Sequence, residues 1–190
     1  AIELNPKLAQ AYYNRGGTYD ELGDKIRAIA DLDRAIELDP KHAGAYTRRG
    51  LVYGALGDKI RALTDHSRAI ELDPKDADAY ISRGVAYAAL GNKIRAIADY
   101  DRAIELDTKY ALAYLFRGDD YNALGDKIRA IADFDKAIEL NPKLAQAYIS
   151  RGGAYVDLGD NRRAIADWKT AAKLGDKKMQ DTLTSQGIEW

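Results

Sequence analysis

A 34-residue period constrains this chain more than any other feature. Pro6, Pro40, Pro74 and Pro142 keep it, with Thr108 in the remaining slot. Two glycine rows keep it as well: Gly16, Gly50, Gly84, Gly118 and Gly152, then Gly23, Gly57, Gly91, Gly125 and Gly159. A period of this length belongs to architectures in which one supersecondary unit stacks on the next, because no unit buries its apolar surface alone. Five repeats follow, 9–42, 43–76, 77–110, 111–144 and 145–175, and then a terminal segment at 176–190. Residues 1–8 read AIELNPKL and echo AIELDPKH at 35–42. They are expected to be the tail of a truncated preceding repeat, with the natural N-terminus and any targeting segment missing.

Each repeat reads as two helices. In the first repeat Ala11, Tyr12, Arg15, Gly16, Tyr19 and Leu22 recur at three- and four-residue steps, one face of a helix. Gly23 and Asp24 end that helix and start the next, as a glycine after a helix and an N-capping aspartate do. The second helix carries Ile26, Ala28, Ile29, Leu32, Ala35, Ile36 and Leu38, and Pro40 stops it. Glycine in mid-helix costs roughly 0.5–1 kcal/mol against alanine, so the Gly16 row predicts a close neighbour that leaves no space for a methyl group. In the terminal segment Met179 and Leu183 make a short apolar face, which suits a helix that closes the C-terminal end.

Composition narrows the function classes. The formal net charge is -1, from 29 basic and 30 acidic residues, and no polybasic run occurs. Nucleic acid is therefore not the expected partner. No apolar run approaches the ~20 residues of a membrane span, so membrane insertion is not expected and a soluble, cytoplasmic protein is. Without cysteine, disulfides and thiolate metal sites are excluded.

The residues Tyr12, Arg15, Gly16, Tyr19, Ala28, Leu32 and Pro40 resemble the signature W-x2-L-G-x2-Y…A-x3-F…P of the tetratricopeptide repeat (TPR) family, in a prokaryotic type. Tyrosine replaces the tryptophan, arginine the leucine, and Thr108 one proline; the variable aromatic slot reads Leu32, His66, Tyr100, Phe134 and Trp168. The resemblance implies an all-α fold, a right-handed α-solenoid of antiparallel helix pairs, with a C-terminal capping helix. It also implies a non-catalytic scaffold that binds a peptide or protein segment in a groove lined by the first helix of each repeat.

Two charged rows run through the packing faces. Arg15, Arg49, Arg83, Arg117 and Arg151 lie between the two tyrosines of each repeat, and Asp31, Asp65, Asp99, Asp133 and Asp167 lie between packing alanines. A half-buried arginine without a partner is costly, and a bidentate carboxylate suits it. Structural ion pairs within each repeat are expected; the alternative is that these arginines bind ligand carboxylates or phosphates.

No catalytic or metal constellation emerges. His42 and His66 lack a second ligand nearby in sequence pattern, and Asp31 and Asp33, two apart on a helix, point away from each other. The RGG stretches at 15–17 and 151–153 lie in mid-helix and are not phosphate loops. No enzyme and no cofactor are expected.

Carried from the resemblance, the groove comprises Tyr13, Asn14, Thr47, Arg48, Leu51, Asp78, Ile81, Ser82, Val85, Leu112, Leu115, Phe116, Asp119, Asn122 and Ile149. Its middle is apolar, and such exposed clusters mark interaction sites. For Ile81, Leu115 and Ile149, packing against the adjacent repeat is an equal alternative. The family's two-carboxylate clamp for peptide C-termini needs Lys and Asn where this chain has Thr47, Ile81 and Leu115, or Leu51, Val85 and Asp119. A ligand with apolar anchors is expected instead. The competing reading is self-association through the array ends: the N-terminal face around Ala9 to Tyr19, left uncapped, and Ile188 and Trp190 at the other end.

Overall fold

A computed structural model describes residues 8–190; the echo of a preceding repeat at residues 1–7 lies outside them. Among the described residues the chain forms eleven α-helices and no strand. They are α1 (Ala9–Glu21), α2 (Lys25–Leu38), α3 (Ala43–Ala55), α4 (Lys59–Leu72), α5 (Ala77–Ala89), α6 (Lys93–Leu106), α7 (Ala111–Ala123), α8 (Lys127–Leu140), α9 (Ala145–Asp157), α10 (Asn161–Lys173) and α11 (Lys177–Ser185). The chain divides into two compact units, Ala1–Arg102 and Ala103–Trp190.

The connection inside a repeat is short because one turn serves both helices. Gly23 has φ 81°, a left-handed conformation that glycine adopts without strain. Its N–H donates to Asp20 O at 3.0 Å and the Asp24 N–H to Tyr19 O at 2.8 Å, the paired bonds of a Schellman motif. Asp24 then caps α2 by accepting from the Arg27 N–H at 3.0 Å. Asp58, Asp126 and Asp160 do the same for α4, α8 and α10. Between repeats, Asp39 Oδ1 accepts from the Lys41 N–H at 3.0 Å, and the turn leads into α3.

In the first unit α1 packs on α2 and α3 on α4, with α2 against α3 and α4 against α5. Ala28, Leu32 and Val52 form one buried cluster, bordered by Tyr13, Tyr19 and Ile29; Ala69, Ile70 and Ala79 form another. In the second unit α7 and α8, then α9 and α10, pair in the same way. Phe134 is the largest side chain of the cluster that also holds Leu115, Ala130, Ala137, Ala147 and Ala154. Helix α11 lays Met179 and Leu183 against Ala171 and Ala172 of α10, and Gln180 Nε2 donates to Ala172 O at 2.9 Å.

The glycine row faces the large side chain of its own repeat's second helix. A methyl on Gly84 would stand 2.5 Å from the Tyr100 ring, and one on Gly118 2.7 Å from that of Phe134. The variable aromatic slot therefore packs directly on the first helix, which lets it change size from Leu32 to Trp168.

Leu22 and Ile26 depart from their expected inward face: both are exposed. Ile26 and Ala28 lie two residues apart, about 200° around a helix, so both cannot face the core. Ala28 is buried, and Ile26 is turned outward at the start of α2.

Candidate peptide-binding face

The arginine and aspartate rows meet within the repeats. Arg15 Nε and Nη2 donate to the two carboxylate oxygens of Asp31 at 2.6 and 2.7 Å. Arg49 holds Asp65, Arg83 holds Asp99, Arg117 holds Asp133 and Arg151 holds Asp167 with the same two-pronged geometry, each bond 2.7 or 2.8 Å. The aspartates are buried and the arginines lie over flanking tyrosines; Arg49 Cζ stands 5.6 Å from the Tyr46 ring centroid and 5.9 Å from that of Tyr53. The hydrogen bonds to Asp65 push the Arg49 guanidinium further above its already high range. These groups are occupied by their own repeat, and a ligand would have to break a buried pair to reach them.

Asp33 is the acid that the sequence leaves without a role. It faces away from Asp31 and accepts from Arg49 Nη1 of the next repeat at 2.6 Å; Asp135 accepts from Arg151 Nη1 at 2.5 Å. Asp120 is a second omission, a buried carboxylate where other repeats have Thr18, Val52, Ala86 and Ala154. Its departure from the repeat was the available signal.

Of the sequence-derived groove residues in the first unit, Ile81 is buried and packs rather than presents itself. Leu51 and Val85 are exposed, as is Asn14, whose Oδ1 accepts from Gln10 Nε2 at 2.8 Å. Asp78 lies on the first turn of α5, and Ser82 is half-buried one turn further on. Thr47 Oγ1 donates to Ala43 O, within its own helix. Tyr13 and Arg48 are drawn together: the guanidinium carbon lies 5.1 Å from the Tyr13 ring centroid. Gly17 of α1 makes room for it, since a methyl there would meet the Arg48 guanidinium. Behind Tyr13 stands the His42 ring, 4.7 Å away. His42 caps α3, its Nδ1 accepting from the Ala45 N–H at 3.2 Å, and so its Nε2 carries the proton and donates to Gln10 Oε1 at 3.3 Å. Unlike the repeat arginines, Arg48 has no carboxylate partner among the described residues.

In the second unit Leu115 is buried, and Ile149 packs against the cluster of Ala171, Met179 and Leu183. Leu112 is exposed, while Phe116 and Asp119 are half-buried. Asn122 Oδ1 accepts from Lys127 Nζ at 2.8 Å, and its carbonyl accepts from the same ammonium at 3.0 Å. Among the described residues no group of three or more His, Asp or Glu side chains could hold a metal ion, and no helix is long and apolar enough to cross a membrane.

Helix pairs that stack in sequence order, each closed by its own ion pair, define a helical repeat protein, a class that works by presenting surface to partners. The chain belongs to the tetratricopeptide repeat family. A model of the tetratricopeptide repeat matches residues 9–42 and 77–110, and one described as TPR repeat matches 61–91 and 118–159. Among solved structures it is similar to MamA, with 30% identity, a TM-score of 0.75, and coverage of 87% of this chain and 96% of that one. It is also similar to YrrB, a TPR protein with an unusual peptide-binding site, at 24% identity and a TM-score of 0.73 over 99% of this chain and 96% of that one. A thermophilic TPR protein from Thermus thermophilus shares 22% identity with a TM-score of 0.77, over 93% of this chain and 97% of that one. No curated protein matches. The TPR fold is that of a protein–protein interaction scaffold.

Proposed function

We propose that the first-helix face of α1, α3 and α5 binds an extended peptide segment of a partner protein, without chemical conversion. An acidic group of that segment engages Arg48, and an apolar side chain rests on Leu51 or Val85. The observation that carries this reading is Arg48 itself: a guanidinium held over Tyr13, with no carboxylate partner among the described residues, on the face that also exposes Leu51. A cation stacked on an aromatic ring has lost part of its freedom before any ligand arrives, which lowers the entropy cost of binding. Its planar fork matches a carboxylate better than a lysine would. The buried position of Ile81 removes one apolar anchor from this face, so the ligand's apolar contact is smaller and its charge matters more. Affinity is expected in the micromolar range, about -8 kcal/mol.

Selection from a displayed random-peptide library tests the proposal. Peptides enriched on the natural chain are expected to carry an Asp or Glu next to a large apolar residue, and to be lost from Arg48→Ala and from Leu51→Asp. Arg48→Lys is expected to keep only a minor part of the binding. Enrichment that survives both Arg48→Ala and Leu51→Asp would remove this face as the binding site.

A further inference from the structure

A second surface repeats with the period of the chain and lies outside the first-helix face. Leu22 and Ile26 flank the Gly23–Asp24 turn, Leu56 and Ile60 the next turn, and Leu90 and Ile94 the third; all six are between 43% and 82% exposed. Single exposed leucines are ordinary, but a row of apolar pairs is a patch. The turns adjoin one another. Leu22, Ile26 and Leu56 line one shallow depression, and Lys59 Nζ reaches across to Ala89 O at 2.7 Å. The second unit repeats the pattern with Leu124, Ile128 and Leu158, all exposed, and then breaks it with Arg162 where an isoleucine would stand.

The fold does not need these isoleucines. Gly23 and Asp24 set the turn, and the buried clusters of the first unit contain neither Leu22 nor Ile26. The first turn of a helix favours an acidic residue, and an exposed β-branched side chain there contributes little to helix stability. Four isoleucines at equivalent exposed places therefore call for something that covers them.

The surrounding charges limit what that is. Arg27 pairs with Asp24 at 2.5 Å, Arg61 with Asp58 at 2.6 Å, and Lys25 with Asp20 at 2.5 Å. Arg27 and Arg61 also lie over Tyr19 and Tyr53, 4.5 and 4.3 Å from the ring centroids. Most charges at the rim of the first two turns are thus paired within their repeats; Lys59 meets a backbone carbonyl instead, and Glu21 beside the first turn carries the opposite charge. The rim offers little attraction to a strongly charged partner and raises little barrier to an identical rim. We propose that this row is a self-association surface whose occupant is a second copy of the chain. Another copy carries apolar pairs at the same spacing, and two rows meeting about a two-fold axis bring like patch to like patch. In the second unit Arg162 stands at the place of these isoleucines, a charge that a two-fold partner would have to desolvate there.

Sedimentation velocity and light scattering from micromolar to millimolar concentration test this. The natural chain is expected to pass from monomer to dimer mass. The triple variant Ile26→Arg, Ile60→Arg, Ile94→Arg repeats the chain's own Arg162 substitution at exposed places. It is expected to keep its helical circular dichroism and to raise the dimer dissociation constant at least tenfold. Because the chain has no cysteine, Leu56→Cys adds a positional readout: oxidation is expected to link two copies, whereas Glu37→Cys, away from the row, does not. A natural chain that stays monomeric at millimolar concentration overturns the proposal. So does a triple variant that dimerises as strongly as the natural chain. Flotation of a monomeric natural chain, but not of the variant, with phosphatidylcholine vesicles would assign the row to a lipid surface instead.

Discussion

Asp33 and Arg49 belong to different repeats, and they meet at 2.6 Å while the same guanidinium grips Asp65 with its other two nitrogens. One side chain thereby ties α3 to α4 of its own repeat and to α2 of the repeat before. Arg151 does likewise with Asp135 and Asp167. In a stacked array stability is a sum of repeat terms and neighbour terms, and this arginine contributes to both.

The two arms differ in burial, so they differ in worth. The Asp65 side chain is 6% exposed and that of Asp33 45%. Arg49→Ala strands a buried carboxylate and is expected to cost about 3–5 kcal/mol. Asp33→Ala loses a half-solvated arm and is expected to cost about 0.5–1 kcal/mol. Urea denaturation of both variants measures the difference; because Arg49→Ala removes both arms, equal losses would show that the buried pair adds nothing to the inter-repeat arm.

The second arm suggests a stabilising change. Ser67 occupies in the second repeat the place of Asp33 and Asp135. Ser67→Asp is expected to give Arg83 the inter-repeat carboxylate that Arg49 and Arg151 have, and to add roughly 0.5–1 kcal/mol. The gain should shrink in high salt, because the new partner is half-exposed. A salt-independent gain would point to something other than an ion pair.

The period, the helix pairs and the turns were legible because each rests on residues close together in sequence. Gly23 and Asp24 need only their own neighbours to define a turn. The Arg15 and Asp31 rows could be read because both recur without exception. Asp33 could not: its partner lies in the next repeat, and only the stacking of α2 on α3 brings the two together. Leu22 and Ile26 misled because apolarity alone placed them inside, although Ile26 is out of phase with Ala28. On the candidate face, the variability of the first helices offered Arg48 and Leu51 among its candidates. For Ile81 it left packing and presentation as equal alternatives, and the structure buries Ile81 while Val85, four residues later, is exposed. His42 as a cap was hidden by its residue type, although Asp76 at the equivalent place caps α5.

His66 gives the chain a pH-dependent weakness. It fills the aromatic slot against Gly50, and its Nδ1 has no hydrogen-bond partner among the described residues. Burial, helped by the charge of Arg83, lowers its pKa to about 4. The unfolded chain holds a histidine near its ordinary value of about 6.5, so between that value and 4 the unfolded state binds the extra proton. The stabilising effect of keeping His66 neutral is complete above about pH 6.5 and is lost as the pH falls towards 4. The full loss is on the order of 3 kcal/mol. His66→Phe, which copies Phe134, is expected to remove this component and to leave the carboxylate titrations in place. Urea midpoints of both proteins at pH 7, 5.5 and 4.5 would show the natural chain falling behind the variant; parallel declines would mean that His66 does not titrate in this range.

Two glycines of the same type are expected to respond oppositely to one methyl group. Gly153, in α9, has nothing within 4 Å of an added Cβ, and its φ is not positive. Gly153→Ala therefore removes only unfolded-state freedom and is expected to stabilise by about 0.5–1 kcal/mol. Gly118, in α7, would place the methyl 2.7 Å from Phe134 Cε1 and 3.2 Å from Ala130 O. Phe134 is fully buried, so its ring has no free space to move into, and Gly118→Ala is expected to cost about 1–3 kcal/mol. The double variant Gly118→Ala, Phe134→Leu adopts the smaller side chain of the first repeat and is expected to recover part of that loss, where independent effects would add instead. Thermal denaturation of the four proteins decides it: if Phe134→Leu does not relieve Gly118→Ala, the ring is not what the glycine accommodates, and the close backbone oxygen of Ala130 is.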